Sequence, residues 1–451
     1  NTAVGNNSMN CNTTGHSNTA VGRYALYENT TGDGNVAIGF CALMENTTAD
    51  CTVAIGTKAL EKNTTGPNNT AVGREALSKN TTGSGNAALG NYALNCNTDG
   101  YNNTGLGNAA LLKNTTGDMN TGVGHDALAC NTTASGNTAV GQDAMRINTT
   151  GTANVAVGCG ALICNTTGSN HTAVGRNSLS DNTTSSSNSA FGGNSLQANT
   201  TGNFNTAVGY DALLLNTTAS QNTAIGTDSL RLSTTGADNT AVGRNTLKVN
   251  TTGACNTAVG TGALAANTTT SESTAVGSAA MLSSTTGGAN TAIGRSALRN
   301  LTTGDANVAV GICAGSDASM INITTESNRF IAGHNDITNA YVKVDWTVTS
   351  DLRDKTEIKE VPHGLEFVDK LKPVSFRFKK SRENPKPHGM TKYGFLAQDI
   401  LELEGSNNVI IDNENDESLK VTNSHLIPVL VKAIQDLKKE IDLLKEDNKK
   451  K

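Results

Sequence analysis

Two residues near the end of this 451-residue chain are of types that do covalent chemistry, Ser350 and Lys355, in the phrase TSDLRDKTEI from Thr349 to Ile358. A serine hydroxyl is a weak nucleophile and needs a base within reach. A lysine amine can be that base only when its pKa falls well below about 10.4, through burial or nearby positive charge. Arg353 is a candidate source of such charge. Spacing alone says little. A Ser followed five residues later by a Lys is most often a surface turn, and Ser350-Asp351 also reads as a helix cap.

Other reactive types give less. Nine cysteines (Cys11, Cys41, Cys51, Cys96, Cys130, Cys159, Cys164, Cys255 and Cys313) are scattered without a C-x-x-C pair, and the seven histidines show no ligand spacing. No metal or cofactor is expected. Free thiols fit assembly in a reducing cytoplasm. The recurrent N-T-T phrase matches a glycosylation acceptor, but its regularity reads as a turn ladder of stacked Asn and Thr. Eight aromatics before residue 324 are dispersed, which argues against a receptor pocket there.

The element that precedes these residues is a repeat. N-[TV]-A-[VIL]-G and close variants begin at Asn1, Asn18, Asn35, Thr52 and every seventeenth residue to Asn307, nineteen copies without insertion or deletion. The consensus N-T-A-V-G-x-x-A-L-x-x-N-T-T-G-x-x is clear in Asn18 to Gly34. Such strict spacing predicts a stack of coils, because one added residue would misalign every later side chain. Ordering seventeen residues costs roughly 17–34 kcal/mol of backbone entropy. Burying four small apolar side chains returns on the order of 10 kcal/mol. A single coil therefore cannot stand alone, and stacking is required.

T-A-V-G reads as a short strand, x-x-A-L-x-x-N as a bend or single helical turn, and N-T-T-G as the closing turn, with Asn and Gly tolerating positive φ. Nineteen coils at about 4.8 Å predict a rod roughly 90 Å long. The strand is apolar or small on both faces, and one coil covers only its inner face, so a neighbouring chain is expected on the other.

The chain changes character near its end. From Asp345 onward, 107 residues hold 39 of the 73 charged residues, and five of the six prolines lie after residue 361. The expected organisation is a β-solenoid shaft over 1–323, a β connector over 324–349 containing the only tryptophan, Trp346, and a small α+β domain over 350–451. Net charge of −5 and pI near 5.8 give no reason to expect nucleic acid. No run of 18 or more apolar residues predicts membrane insertion. Because the chain opens inside a repeat and without Met, the true N-terminus is expected to be missing.

The final helix, expected over 424–448, carries a seam of Ile427, Leu430, Ile434, Leu437, Ile441 and Leu444, then Asn448. This is a heptad with Ile at a and Leu at d, and Glu440 to Lys445 fits a g-to-e pair. An amphipathic helix packed on its own domain is the competing reading. Ile at a with Leu at d favours two strands.

Two resemblances add to this. The repeats are similar to the head repeats of trimeric autotransporter adhesins and of phage fibre proteins, which form trimeric β-rolls. TSDLRDKTEI, then HGLEFVDKLKPVSFRFK at His363 to Lys379, YGFLAQDI at Tyr393 to Ile400 and the closing helix resemble the C-terminal intramolecular chaperone domain of phage endosialidases and other tail fibres and tailspikes. That second resemblance covers Thr349 to Lys451. It implies a homotrimer and self-cleavage between Thr349 and Ser350, with Ser350 as nucleophile, Lys355 as base and no cofactor. Asp354 departs from the family, which more often has an apolar residue there.

The implied role is a phage tail fibre or virion appendage, assembled in the host cytoplasm. It would join tail or baseplate proteins and meet a host surface glycan or receptor. A cell-surface adhesin-like rod and an ice-binding solenoid, each with a non-cleaving trimerisation cap, are the alternatives. An odd C-terminal domain also has a physical rationale. Near-identical coils leave pairing register almost degenerate, and a distinct domain that trimerises first would align the chains.

Overall fold

The structure is a computed structural model that describes residues 1–317, 321–334, 337, 340–343, 349–379, 384–406, 408–413 and 419–450. Trp346 and the rest of 344–348, part of the expected connector, lie outside the described residues. The chain divides into two compact units, Asn1–Ser316 with Ile323–Ala332, and Asp317–Asn322 with Gly333–Lys451.

The first unit is the expected mostly-β solenoid of seventeen-residue coils. Nineteen three-residue strands run from Thr2–Val4 to Val308–Val310. They pair in parallel without register drift: Thr2, Ala3 and Val4 lie against Thr19, Ala20 and Val21, and the same holds to the last pair. A further rung, Phe330–Ala332, pairs with Val308–Val310 across a coil of twenty-two residues. That rung falls in the stretch read from sequence as connector; its first part extends the solenoid.

Each strand turns one side chain inward. In Thr19–Val21 the middle residue Ala20 is fully buried, Thr19 is half-buried and Val21 faces outward. Ala25 and Leu26 complete the apolar interior, and two asparagines per coil, such as Asn18 and Asn29, are buried with them. Their amides bond within and between coils. Asn18 accepts from the Asn35 backbone N–H at 2.8 Å and donates to the Gly32 carbonyl at 2.8 Å. Asn29 donates to Asn12 Oδ1 at 2.8 Å and to the Gly32 carbonyl at 3.1 Å. Buried polar groups are tolerated when every donor and acceptor has a partner. Buried asparagines are also no glycan acceptors in the folded shaft.

The turns differ from expectation. The x-x-A-L segment is not a helical turn: Tyr24 and Leu26 have φ of 61° and 51°, and the same two positions are left-handed through most of the stack. Tyr24 N–H donates back to the Asn6 carbonyl and Leu26 N–H forward to the Ala42 carbonyl, both at 3.0 Å. Alternating backbone hydrogen bonds to both neighbouring coils offset a left-handed cost of about 1–2 kcal/mol per residue. The positive φ expected at the Asn and Gly of N-T-T-G lies instead at the strand-ending glycine, Gly22 at 134°, and at the last coil position, Gly34 at 65°.

In the second unit, α1 (Leu365–Lys370), an antiparallel pair of Val374–Lys379 with Pro387–Gly394, and α2 (Ala397–Glu404) precede the long α3 (Leu426–Lys450). Phe367, Ile400, Ile410, Ile411, Leu426 and Val429 form its core. The buried Glu404 carboxylate accepts from the N–H groups of Val409 and Ile410 at 2.9 Å and of Ile411 at 3.1 Å. One side chain thereby ties the end of α2 to the strand that follows.

Candidate functional site

The chain enters the second unit's family-like region through a single 3₁₀ turn, Leu352–Asp354. Asp351 caps it, accepting from Arg353 N–H at 2.9 Å. The Arg353 side chain folds back on the same carboxylate, with Nε at 3.0 Å and Nη2 at 2.6 Å. The turn closes through Lys355 N–H to the Leu352 carbonyl at 3.2 Å. As a result Lys355 doubles back, and its Nζ lies 2.7 Å from Ser350 Oγ. The two residues singled out from sequence are brought into direct hydrogen bond.

The electrostatics are local. Arg353 hydrogen bonds, reinforced by its backbone N–H, hold the Asp351 carboxyl below the usual aspartate range. Arg353 is thus committed to Asp351 rather than to Lys355, which corrects the expectation that it would supply free positive charge to the amine. Both Ser350 and Lys355 are exposed in the single chain. Sequence reasoning identified the helix-cap option for Ser350-Asp351 but treated it as a competitor of the chemistry. The cap falls to Asp351 alone and leaves Ser350 free to meet Lys355. The signal was present, since Asp followed two residues later by Arg permits a cap and an ion pair together.

The helix seam divides by face. Leu426, Val429 and Ala433 are buried against the second unit's own core. Ile427, Leu430, Ile434, Leu437, Ile441 and Leu444 all remain exposed, Ile434 at 66%. The helix therefore packs on its own domain and still presents the heptad seam. Lys445 pairs with Asp442 at 3.9 Å within the chain.

One possible metal-ligand group exists among the described residues. His125, Asp126 and Asp143 bring ligand atoms within 4.8 Å of one another on the solenoid surface. Sequence spacing missed it because Asp143 stacks on Asp126 one coil later. Asp143 already faces Arg146 at 3.7 Å and accepts from Gln142 at 3.2 Å.

Residues 350–409 match the family described as chaperone of endosialidase, Peptidase_S74. That family consists of self-cleaving intramolecular chaperones, and the match begins at Ser350. No curated protein matches the chain.

Proposed function

We propose that the chain is the shaft of a homotrimeric phage tail fibre or related virion appendage. Its C-terminal domain templates assembly and then releases itself by cutting between Thr349 and Ser350. The observation that carries this reading is the 2.7 Å contact of Ser350 Oγ with Lys355 Nζ at the first residue of the matched segment.

Ser350 Oγ attacks the Thr349 carbonyl carbon while Lys355 takes the hydroxyl proton. The Thr349–Ser350 C–N bond breaks, and the proton passes to the departing Ser350 amine. Water then hydrolyses the Thr349 ester, returning the Ser350 hydroxyl. Lys355 must be neutral to accept a proton. Neighbouring copies that cover the exposed dyad would exclude water from it and favour the uncharged amine. Cleavage would then follow assembly.

The exposed Ile/Leu seam of α3 supports association of the C-terminal domains, and the matched family's chaperone role supports register selection. Removing the template leaves a long shaft that cannot readily refold, a kinetic trap. Tail or baseplate proteins and a host surface glycan or receptor are the partners this role implies.

The test is the denatured intact mass of the expressed chain beside Ser350→Ala and Lys355→Ala. Wild type should yield a fragment beginning at Ser350, and both variants should stay whole with unchanged folding. Wild type that remains at 46.4 kDa while assembling would remove the protease activity and leave a permanent cap.

A further inference from the structure

The outward side chains of the solenoid strands form two rows, from the first and third strand residues, along the whole stack. None of the twenty strands contains a charged residue or histidine. The third-position row is exposed throughout much of its length, with Val4 at 57%, Leu89 at 50% and Ile293 at 43%. Two outward rows on strands of three residues make a strip about 10 Å wide, and its length is roughly 90 Å. The resulting area of roughly 900 Å² per copy is close to the ~800 Å² that each partner buries in a standard stable interface.

The composition of the strip carries a second signal. The first position is Thr or Val in every rung except three, Ala87, Ser189 and Phe330. In those same three rungs the third position departs from its commonest residue, Val, in the opposite sense. Ala87 goes with Leu89, Ser189 with Phe191, and Phe330 with Ala332. Leu106, beside Thr104 and over Gly105, is the single further third-position residue that is neither Val nor Ile. On a free surface the two rows have no reason to compensate each other's size at these three rungs. Side chains two apart in a strand stand about 6.5 Å from each other and project away from the sheet, so they confine one another little. Such compensation is what a closed, packed space demands.

We infer that this strip is the contact face between copies of the shaft, with copies in register around a common axis. At each level the first-position side chain of one copy meets the third-position side chain of the next. Small then faces large at Ala87/Leu89, Ser189/Phe191 and Phe330/Ala332, and Thr or Val faces Val, Ile or Leu elsewhere. The uncharged strip becomes a shared interior of threonine and aliphatic side chains, and its three irregular rungs act as register marks on an otherwise repetitive rod. A shift by one coil sets Phe191 of one copy against Thr206 or Thr172 of the next instead of Ser189, which overpacks the space.

This inference rests on the proposed homotrimer, and two measurements separate them. Sedimentation of the full-length chain reads the assembly: a monomer mass overturns the trimer and this contact together. Co-expressed full-length chains carrying Thr206→Cys and Val208→Cys read the face and its register, with the parent chain alongside as the background of its native cysteines. The expected result is a new disulfide-linked dimer on a non-reducing denaturing gel, lost on reduction. The offset pair Thr206→Cys with Val259→Cys, three rungs apart, should give none. A trimer mass with no cross-link from the level pair, or with equal cross-linking from the offset pair, overturns the contact face while leaving the trimer standing.

Discussion

In the solenoid the buried asparagines find partners at the same separations of 3, 14 and 17 residues coil after coil, whereas in the C-terminal unit each side chain finds a partner particular to it. Asn46 donates to Asn29 at 2.7 Å, and the same bond recurs along the stack. Glu404 gathers three successive N–H groups, and Asp351 folds one turn around itself. A translational solution is robust to substitution at outward positions but nearly blind to register. A particular solution tolerates fewer changes but has one register. The two regions therefore differ in kind: one can be lengthened coil by coil, the other cannot.

Comparing one glycine in each region gives the largest expected effect. Gly141 has φ of 135°, and an added Cβ would lie 2.7 Å from the Gly158 carbonyl carbon in the next coil. Both strain and clash oppose a side chain there, so Gly141→Ala should cost more than about 3 kcal/mol and lower the shaft's melting temperature sharply. Gly405 ends α2 with φ of 71°, and nothing lies within 4 Å of an added Cβ. Its ψ of −135° lies outside the left-handed well, so Gly405→Ala should cost about 1–3 kcal/mol, from strain without a clash. Equal losses in thermal melts of the two variants would refute the distinction between stacked and local glycines.

A gain of function in stability is the next effect. The buried Asn ladder donates from each coil to the previous one, as Asn216 does to Asn199 Oδ1 at 2.8 Å. Ser233 interrupts it and leaves Asn216 Oδ1 buried without a partner. Ser233→Asn should supply that donor and an acceptor for Asn250, raising stability by about 1–3 kcal/mol. A melting temperature at or below wild type would mean that the gap is already satisfied, and the ladder would matter less than its geometry implies.

Much of this was legible in the sequence. Strict seventeen-residue spacing predicts parallel strands in register, since only stacking makes one residue's position depend on another's so rigidly. Tyr24 and Leu26 were not legible, because neither residue type announces a left-handed backbone. Inter-coil hydrogen bonds hold them there, and a one-dimensional pattern does not contain those. The rung at Phe330–Ala332 was missed for a related reason: five extra residues in its coil hide the period, although its outward volumes still obey the strip's rule. At the candidate site, residue types flagged Ser350 and Lys355, and the Asp-x-Arg spacing allowed the Asp351–Arg353 clasp, but only the folded turn shows that this clasp brings Lys355 onto Ser350.

The smallest effect uses one departure in the second buried row, that of the coil-opening asparagines. His171 replaces the inward asparagine between Asn154 and Asn188. Its N–H donates to Asn154 Oδ1 at 2.9 Å, and its Nδ1 accepts from Asn188 N–H at 3.2 Å. Its Nε2 lies 2.7 Å from the Ser185 carbonyl, so the neutral ring carries its proton on Nε2. Protonating Nδ1 would set a donor against the Asn188 N–H. Burial pushes the His171 pKa below its usual value, only partly countered by the backbone hydrogen bonds to Ser185 and Asn188. The unfolded chain then binds the proton more readily than the folded one. The shaft keeps its full stability above about pH 6.5 and loses it as pH falls from there toward the lower folded-state value. An asparagine at this position would not titrate. His171→Asn should therefore melt at nearly the same temperature at about pH 5 and about pH 7.5, while wild type melts lower at the acidic value. If the two proteins lose stability equally on acidification, the sensitivity lies in carboxylates elsewhere, and the histidine is a silent substitute in a ladder that asks only for an acceptor.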